Sequence, residues 1–166
     1  MIIRTGRLTL LPLEAAHAGE MAAVLGDPEL HGFTGGAPLT EPELRTRYAR
    51  LAAGSPDPDV AWWNWVVRLD EADCLVGTVQ ATVSGGVAEV AWVIGTPWQR
   101  RGIATEAAAG LVGWLRRQAG VHTVVAHVHP GHTASAAVAR ACGLAPTDRW
   151  HDGEVRWESA VTGRPG

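Results

Sequence analysis

The sequence predicts a mixed α+β fold: one central, twisted, mostly antiparallel sheet of about seven strands flanked by about four helices. Two observations carry that expectation. Apolar, strand-like runs are joined by loops too short for anything but antiparallel neighbours. Between those runs lie amphipathic stretches with helical spacing. The expected order is β-α-α-β-β-β-α-β-α-β-β, in a single domain over residues 1–166 with no linker, repeat or low-complexity segment.

Arg7–Leu13 is a first strand, stopped by Pro12. Residues 15–25 have helix composition, with Met21, Val24 and Leu25 at helical spacing, closed by Gly26-Asp27-Pro28. A loop over His31–Pro38 precedes a second helix, where Thr40 and Glu43 form a capping box and Leu44, Tyr48 and Leu51 an apolar stripe. Three strands follow, over residues 62–69, 75–83 and 87–94, the last two joined by the hairpin turn Ser84-Gly85-Gly86. A helix is expected from Thr105 to Gln118, with Ile103, Ala107, Leu111, Trp114 and Leu115 inward and Gly120 closing it. A strand at 121–129, a helix at 133–141 ended by Gly143, and two strands about an Asp152-Gly153 turn complete the chain.

Composition narrows the function. At 46% apolar and 19% charged, the chain has the balance of a folded protein. Its net charge of −3 and lack of a basic stripe argue against nucleic-acid binding. No apolar run reaches membrane-spanning length, and the N-terminus lacks a signal-peptide pattern. Two cysteines are too few for a disulfide framework or a cysteine metal site, so a cytoplasmic location is expected. All fourteen basic residues are arginine, which we ascribe to compositional bias of the source.

The most informative stretch is Gln99-Arg100-Arg101-Gly102-Ile103-Ala104, a turn between a strand and a helix. Such a turn aims several unpaired N–H groups at one point, with the positive end of the helix dipole behind them, and so binds phosphate. Two arginines add charge-assisted donors, unless they are simply solvated loop residues. A dinucleotide site is the weaker reading, because its fingerprint needs three glycines opening a parallel βαβ unit and only Gly102 is so placed.

This turn resembles the Gln/Arg-x-x-Gly-x-Gly/Ala motif of the GNAT superfamily of acyl-coenzyme A N-acyltransferases. The flanking segments Arg7–Leu10, Ala88–Trp92 and Ala104–Ala107, with Ala134-Ser135, Val138-Ala139 and Cys142–Leu144, are similar to the branch that acetylates protein N-terminal amines. The likeness covers nearly the whole chain. It implies acetyl-coenzyme A as co-substrate, no metal, and transfer of acetyl to a primary amine: a peptide N-terminus or a small molecule. It further implies cofactor contacts from Val93, Ile94, Gln99, Arg100, Arg101, Gly102, Ile103, Ala104 and Thr105, and from His132 and Ser135. His132 is a departure, since the family often has Asn there.

The chemistry requires a neutral amine, hence a base, and a donor for the developing oxyanion. The resemblance implies Glu89 as the base, its pKa expected to rise among apolar neighbours, although a surface Glu paired across a hairpin fits the same position. A backbone N–H around Val93 on a splayed strand is the expected oxyanion donor. Ser135 matches the family's proton donor to the leaving thiolate, or else is a first-turn helix serine. Glu106 is expected to point away from the phosphates, which it would repel. Tyr48 is core or pocket wall.

Trp62-Trp63-Asn64-Trp65 is expected to place Trp63 opposite Trp62 and Trp65, as core or as pocket lining. His127, His129 and His132 lack a matching carboxylate or cysteine for a metal and are expected to line the cofactor or acceptor side. Besides the enzyme, a non-catalytic acyl-coenzyme A sensor with the same cleft accounts for these features. The acceptor is the expected partner, with neither nucleic acid nor membrane, and the chain is expected to be a monomer or homodimer.

Overall fold

A computed structural model describes residues 1–32 and 36–160; positions 33–35, within the loop read over His31–Pro38, and 161–166 lie outside them. The elements run β1 (Ile3–Arg4), β2 (Leu8–Pro12), α1 (Ala18–Val24), α2 (Glu41–Ala52), β3 (Val60–Leu69), β4 (Cys74–Ser84), β5 (Val87–Ile94), α3 (Ile103–Arg116), β6 (Thr123–Val128), α4 (Thr133–Ala141), β7 (Ala145–His151) and β8 (Glu154–Ala160). The expected order holds, with one addition: the two residues of β1 pair with β2 and bring the described sheet to eight strands.

Local chemistry explains most boundaries. Thr40 and Glu43 cap α2 reciprocally, each side chain accepting the other's backbone N–H. Both expected hairpins close through left-handed pairs, Gly85 with Gly86 and Asp152 with Gly153, as a type I′ turn requires. α3 departs from expectation at both ends. It begins at Ile103, directly after Gly102, and stops at Arg116.

Strand order in the sheet is β1-β2-β3-β4-β5-β6-β8-β7, antiparallel throughout except for β5 with β6. One face packs on α3 and α4: Leu8, Leu10, Trp65, Val67, Val79, Val90 and Ala126 meet Ile103, Ala107, Leu111, Leu115 and Val138. The other face is covered by α1 and α2 only at its β2–β4 end, where Leu13, Val66 and Leu75 bury Met21, Val24, Leu44 and Tyr48. Beyond that cover, Glu89, Ala91 and Val93 of β5 remain exposed on the same face.

The tryptophan expectation is corrected. Strand side chains alternate with period two, so Trp63 and Trp65 share a face, opposite Trp62. Their rings lie 6.3 Å apart and stacked, and Trp114 of α3 meets both edge-on at 5.2–5.3 Å. Trp65 is fully buried, so this cluster is core at one end and open at Trp63. Tyr48 is core as well; burial pushes its phenol up to about 12.

Candidate active site

The one parallel pairing in the sheet is short. Val87, Ala88 and Glu89 of β5 match Thr123, Val124 and Val125 of β6, and there the register ends. β5 stays with β4 as far as Ile94, while β6 stays with β8 as far as Val128. The two strands therefore part, and a cleft of about 720 Å³ opens between them. α3 begins at one wall of it and α4 at another.

The turn before α3 is held in place from within. Gln99 Nε2 donates to the Ile94 carbonyl at 3.0 Å, so its side chain ties the turn to the end of β5. Arg100 and Gly102 both adopt left-handed backbone, with φ of 64° and 73°. Such a conformation costs an ordinary residue about 1–2 kcal/mol, and Arg100 bears that strain. Gly102 is the N-cap of α3 and offers no side chain to cap it. Among the described residues, no acceptor is recorded for the N–H groups from Arg100 to Thr105. Ile103, 2% exposed, pins the helix start to the core. The result is a fixed fan of bare amides at a helix N-terminus, the arrangement that suits a diphosphate.

Arg100 lines the cleft, but Arg101 does not. Glu106 points away, as expected of a carboxylate next to an anion site: it accepts from Thr5 Oγ1, from Arg7 N and from Arg7 Nε, the last two at 2.8 Å. Burial raises its pKa, but the bonds from Thr5 and Arg7 outweigh that and hold the carboxyl below its ordinary range.

Register parity decides which backbone groups face the opening. Gly86 O accepts from His122, just before β6, and from Thr123, its first residue; Ile94 O accepts from Gln99, and Gly95 N donates to Val76 O on β4. Alternation along β5 then turns the N–H and C=O of Val90, Trp92 and Ile94 toward the cleft, and those of Ala91 and Val93 toward β4. The expectation around Val93 is thus refined: its side chain lines the cleft, but the outward amides are those of Trp92 and Ile94.

On the far wall, His132 N-caps α4 with its ring, Nδ1 accepting the Ser135 N–H at 3.2 Å. Burial, then the charge of His129, lowers its pKa and favours the neutral, accepting ring. Ser135, His127 and His129 all line the cleft. Glu89 stands where β5 and β6 part, its Oε1 2.9 Å from His127 Nδ1. The apolar enclosure expected around Glu89 is absent: the carboxylate side chain is 55% exposed, against 13% for His127. No group of three or more metal-type ligands occurs among the described residues.

Residues 7–145 match the model of the acetyltransferase (GNAT) domain family. The chain belongs to the GNAT acetyltransferases. Solved GNAT structures share its fold at low identity. An acetyltransferase of the family from Bacillus anthracis superposes with a TM-score of 0.83 at 18% identity, covering 98% of this chain and 100% of that one. RimL, a ribosomal alpha-N-protein acetyltransferase in complex with coenzyme A, gives 0.77 at 13%, covering 96% and 98%. AAC(6')-Ib, in complex with paromomycin and acetyl-coenzyme A, gives 0.77 at 15%, covering 93% of each. No curated protein matches the sequence significantly.

For this GNAT chain, the sequence brought together all but one of the expected site residues, Arg101 being the one outside the cleft wall. It missed Trp92, whose outward amide depends on register, and the Glu89–His127 bond, which joins strands 38 residues apart. The only signal for the second was the placement of His127 and His129 on one strand face.

Proposed function

We propose that this chain transfers an acetyl group from acetyl-coenzyme A to a primary amine, on a small molecule or a peptide N-terminus. One observation carries the reading: the bare amides of Arg100 and of residues 102–105 stand at the wall of the opening between β5 and β6. A diphosphate held there leaves the cofactor's thiol arm room to run between the strands. Bound in that way, acetyl-coenzyme A supplies the activated acetyl group.

The chain's own residues would do the rest. Amides of Ile103, Ala104 and Thr105, with the Arg100 side chain, hold the diphosphate. The outward N–H of Trp92 or Ile94 steadies negative charge on the carbonyl oxygen. The Ser135 hydroxyl, on the opposite wall, donates to the departing sulfur. Proton removal from the amine depends on Glu89, at the fork of the strands. Solved relatives include a ribosomal alpha-N-protein acetyltransferase, AAC(6')-Ib in complex with paromomycin and a spermidine N-acetyltransferase, so the acceptor class stays broad in this reading. The reading includes a cytoplasmic monomer or homodimer, consistent with two free cysteines.

Calorimetry with coenzyme A and acetyl-coenzyme A, followed by thiol release against a panel of primary amines and peptides, tests it. Binding of both and amine-dependent thiol release are expected. Binding without release across the panel would make the protein a sensor, and no binding would remove the diphosphate site.

A further inference from the structure

We infer that the proton acceptor is Nε2 of His127, and that Glu89 acts through it as a positioning residue. The inference rests on the acetyl-transfer reading above and assigns its base to a different atom.

The argument begins with the bond between them. An ionised carboxylate only accepts, so a 2.9 Å contact between Glu89 Oε1 and His127 Nδ1 requires the proton on Nδ1. The neutral ring then carries its lone pair on Nε2. A carboxylate fixing one imidazole nitrogen so that the other serves as base is the arrangement of a His–Asp pair in acyl-transfer enzymes. Shelter separates the two candidates further. Glu89 is over half exposed, its charge dispersed into water, whereas the His127 side chain is 13% exposed and lines the cleft. A base works best where water does not compete for the proton it removes.

The surroundings hold the ring. The His151 ring of β7 lies 5.2 Å from it, tilted at 42°. Arg156 of β8 is its cross-strand partner, but the Arg156 Nε donates to Glu158 at 3.0 Å. His129 follows just beyond the end of β6, and Glu154, opposite His151, lines the same cleft. Among the described residues, Glu89 is thus the one whose hydrogen bond to the His127 ring sets its tautomer.

The proton balance is simple. The incoming ammonium gives up two protons. His127 Nε2 takes the first, making the amine neutral, and passes it to solvent. The C–N bond then forms as the C–S bond breaks, and the second proton, released from nitrogen, ends on the departing sulfur.

Steady-state kinetics test the assignment, with acetyl-coenzyme A and the best amine of the panel above. His127→Gln is expected to lower kcat by about 100-fold or more, within the range of a lost general base. Its acetyl-coenzyme A affinity should stay within about threefold. Glu89→Gln is expected to lower kcat by only about tenfold, because the ring remains but is misoriented. The acid limb of the kcat/KM profile should persist in Glu89→Gln and vanish in His127→Gln. Added imidazole should restore turnover in His127→Gly. A His127→Gln protein within about threefold of the unsubstituted kcat overturns the assignment, as does an acid limb lost only in Glu89→Gln. Those results leave acetyl transfer standing. Thiol release absent from the unsubstituted protein overturns acetyl transfer itself, and the base with it.

Discussion

Two helices begin at one cleft, and they begin in opposite ways. α3 starts at Gly102, which has no side chain to cap it, and its first amides find no described acceptor. α4 starts at His132, whose ring accepts the Ser135 N–H. Both starts carry the partial positive charge of a helix N-terminus. At the second, the Ser135 N–H goes to the ring and the Thr133 N–H to the Gly131 carbonyl, so fewer donors stay open than at the first. The cap residue, more than the helix dipole, decides whether a helix start is a ligand site or a finished piece of structure.

Gly102→Val is the strongest way to break this comparison. A β-branched residue at a φ of 73° would have to distort the turn, at about 1–2 kcal/mol. Acetyl-coenzyme A affinity, read by calorimetry, should fall about fivefold to thirtyfold. Unchanged affinity would mean that the start of α3 is not the cradle. Space for the first side-chain carbon is not what limits the substitution, since a Cβ there would lie 3.5 Å from the nearest neighbour, Arg7 Nη2.

Glu106→Gln sharpens the same side of the comparison. It takes the charge from the ties that hold α3 against Arg7 and Thr5 and leaves one accepting oxygen where there were two. The loss should be about 1 kcal/mol in urea unfolding, kept small because the Arg7 side chain is nearly half exposed. The folded carboxyl sits below its ordinary value, so its contribution is present above pH 4.5 and is lost as pH falls through the folded value. Acid should therefore erode the unsubstituted protein more than the Gln variant. Equal erosion would show that this carboxylate is not held by its partners.

His132 gives the smallest effect. His132→Ala should cost about 1 kcal/mol, as a lost N-cap does, while His132→Asn, a good cap, should keep most of it. Its folded pKa lies below 6.5, so the neutral cap contributes fully above that pH and is lost as pH falls through the folded value. Between pH 7 and 5 the unsubstituted protein should lose stability relative to His132→Asn, which does not titrate. His132→Ala should weaken acetyl-coenzyme A binding less than Gly102→Val does; the reverse order would place the cofactor at α4 instead.

The comparison also shows why some features were legible before folding and others were not. The capping box at Thr40 and Glu43, the hairpins at Gly85-Gly86 and Asp152-Gly153, and the glycine turn before α3 are decided by a few neighbouring residues. Their physics is local, so a short window contains it. The outward turning of Glu106 was foreseeable too, because a carboxylate is repelled by a nearby anion site, but its partners Thr5 and Arg7 lie about a hundred residues away. The shared face of Trp63 and Trp65 is local as well, since strand side chains alternate with period two. The cap on α4 hides in a histidine, a residue type with weak capping preference.

By itself the sequence determined the order of strands and helices and the glycine on which the turn depends, because each follows from local backbone preference and apolar spacing; the residues expected along the cleft came from its resemblance to the GNAT family. Only the tertiary structure decided where β5 parts from β6, which amides of β5 face the gap, and that Glu89 holds a histidine ring. Those facts depend on register between strands distant in the chain, where a shift of one residue would turn every side chain to the opposite face.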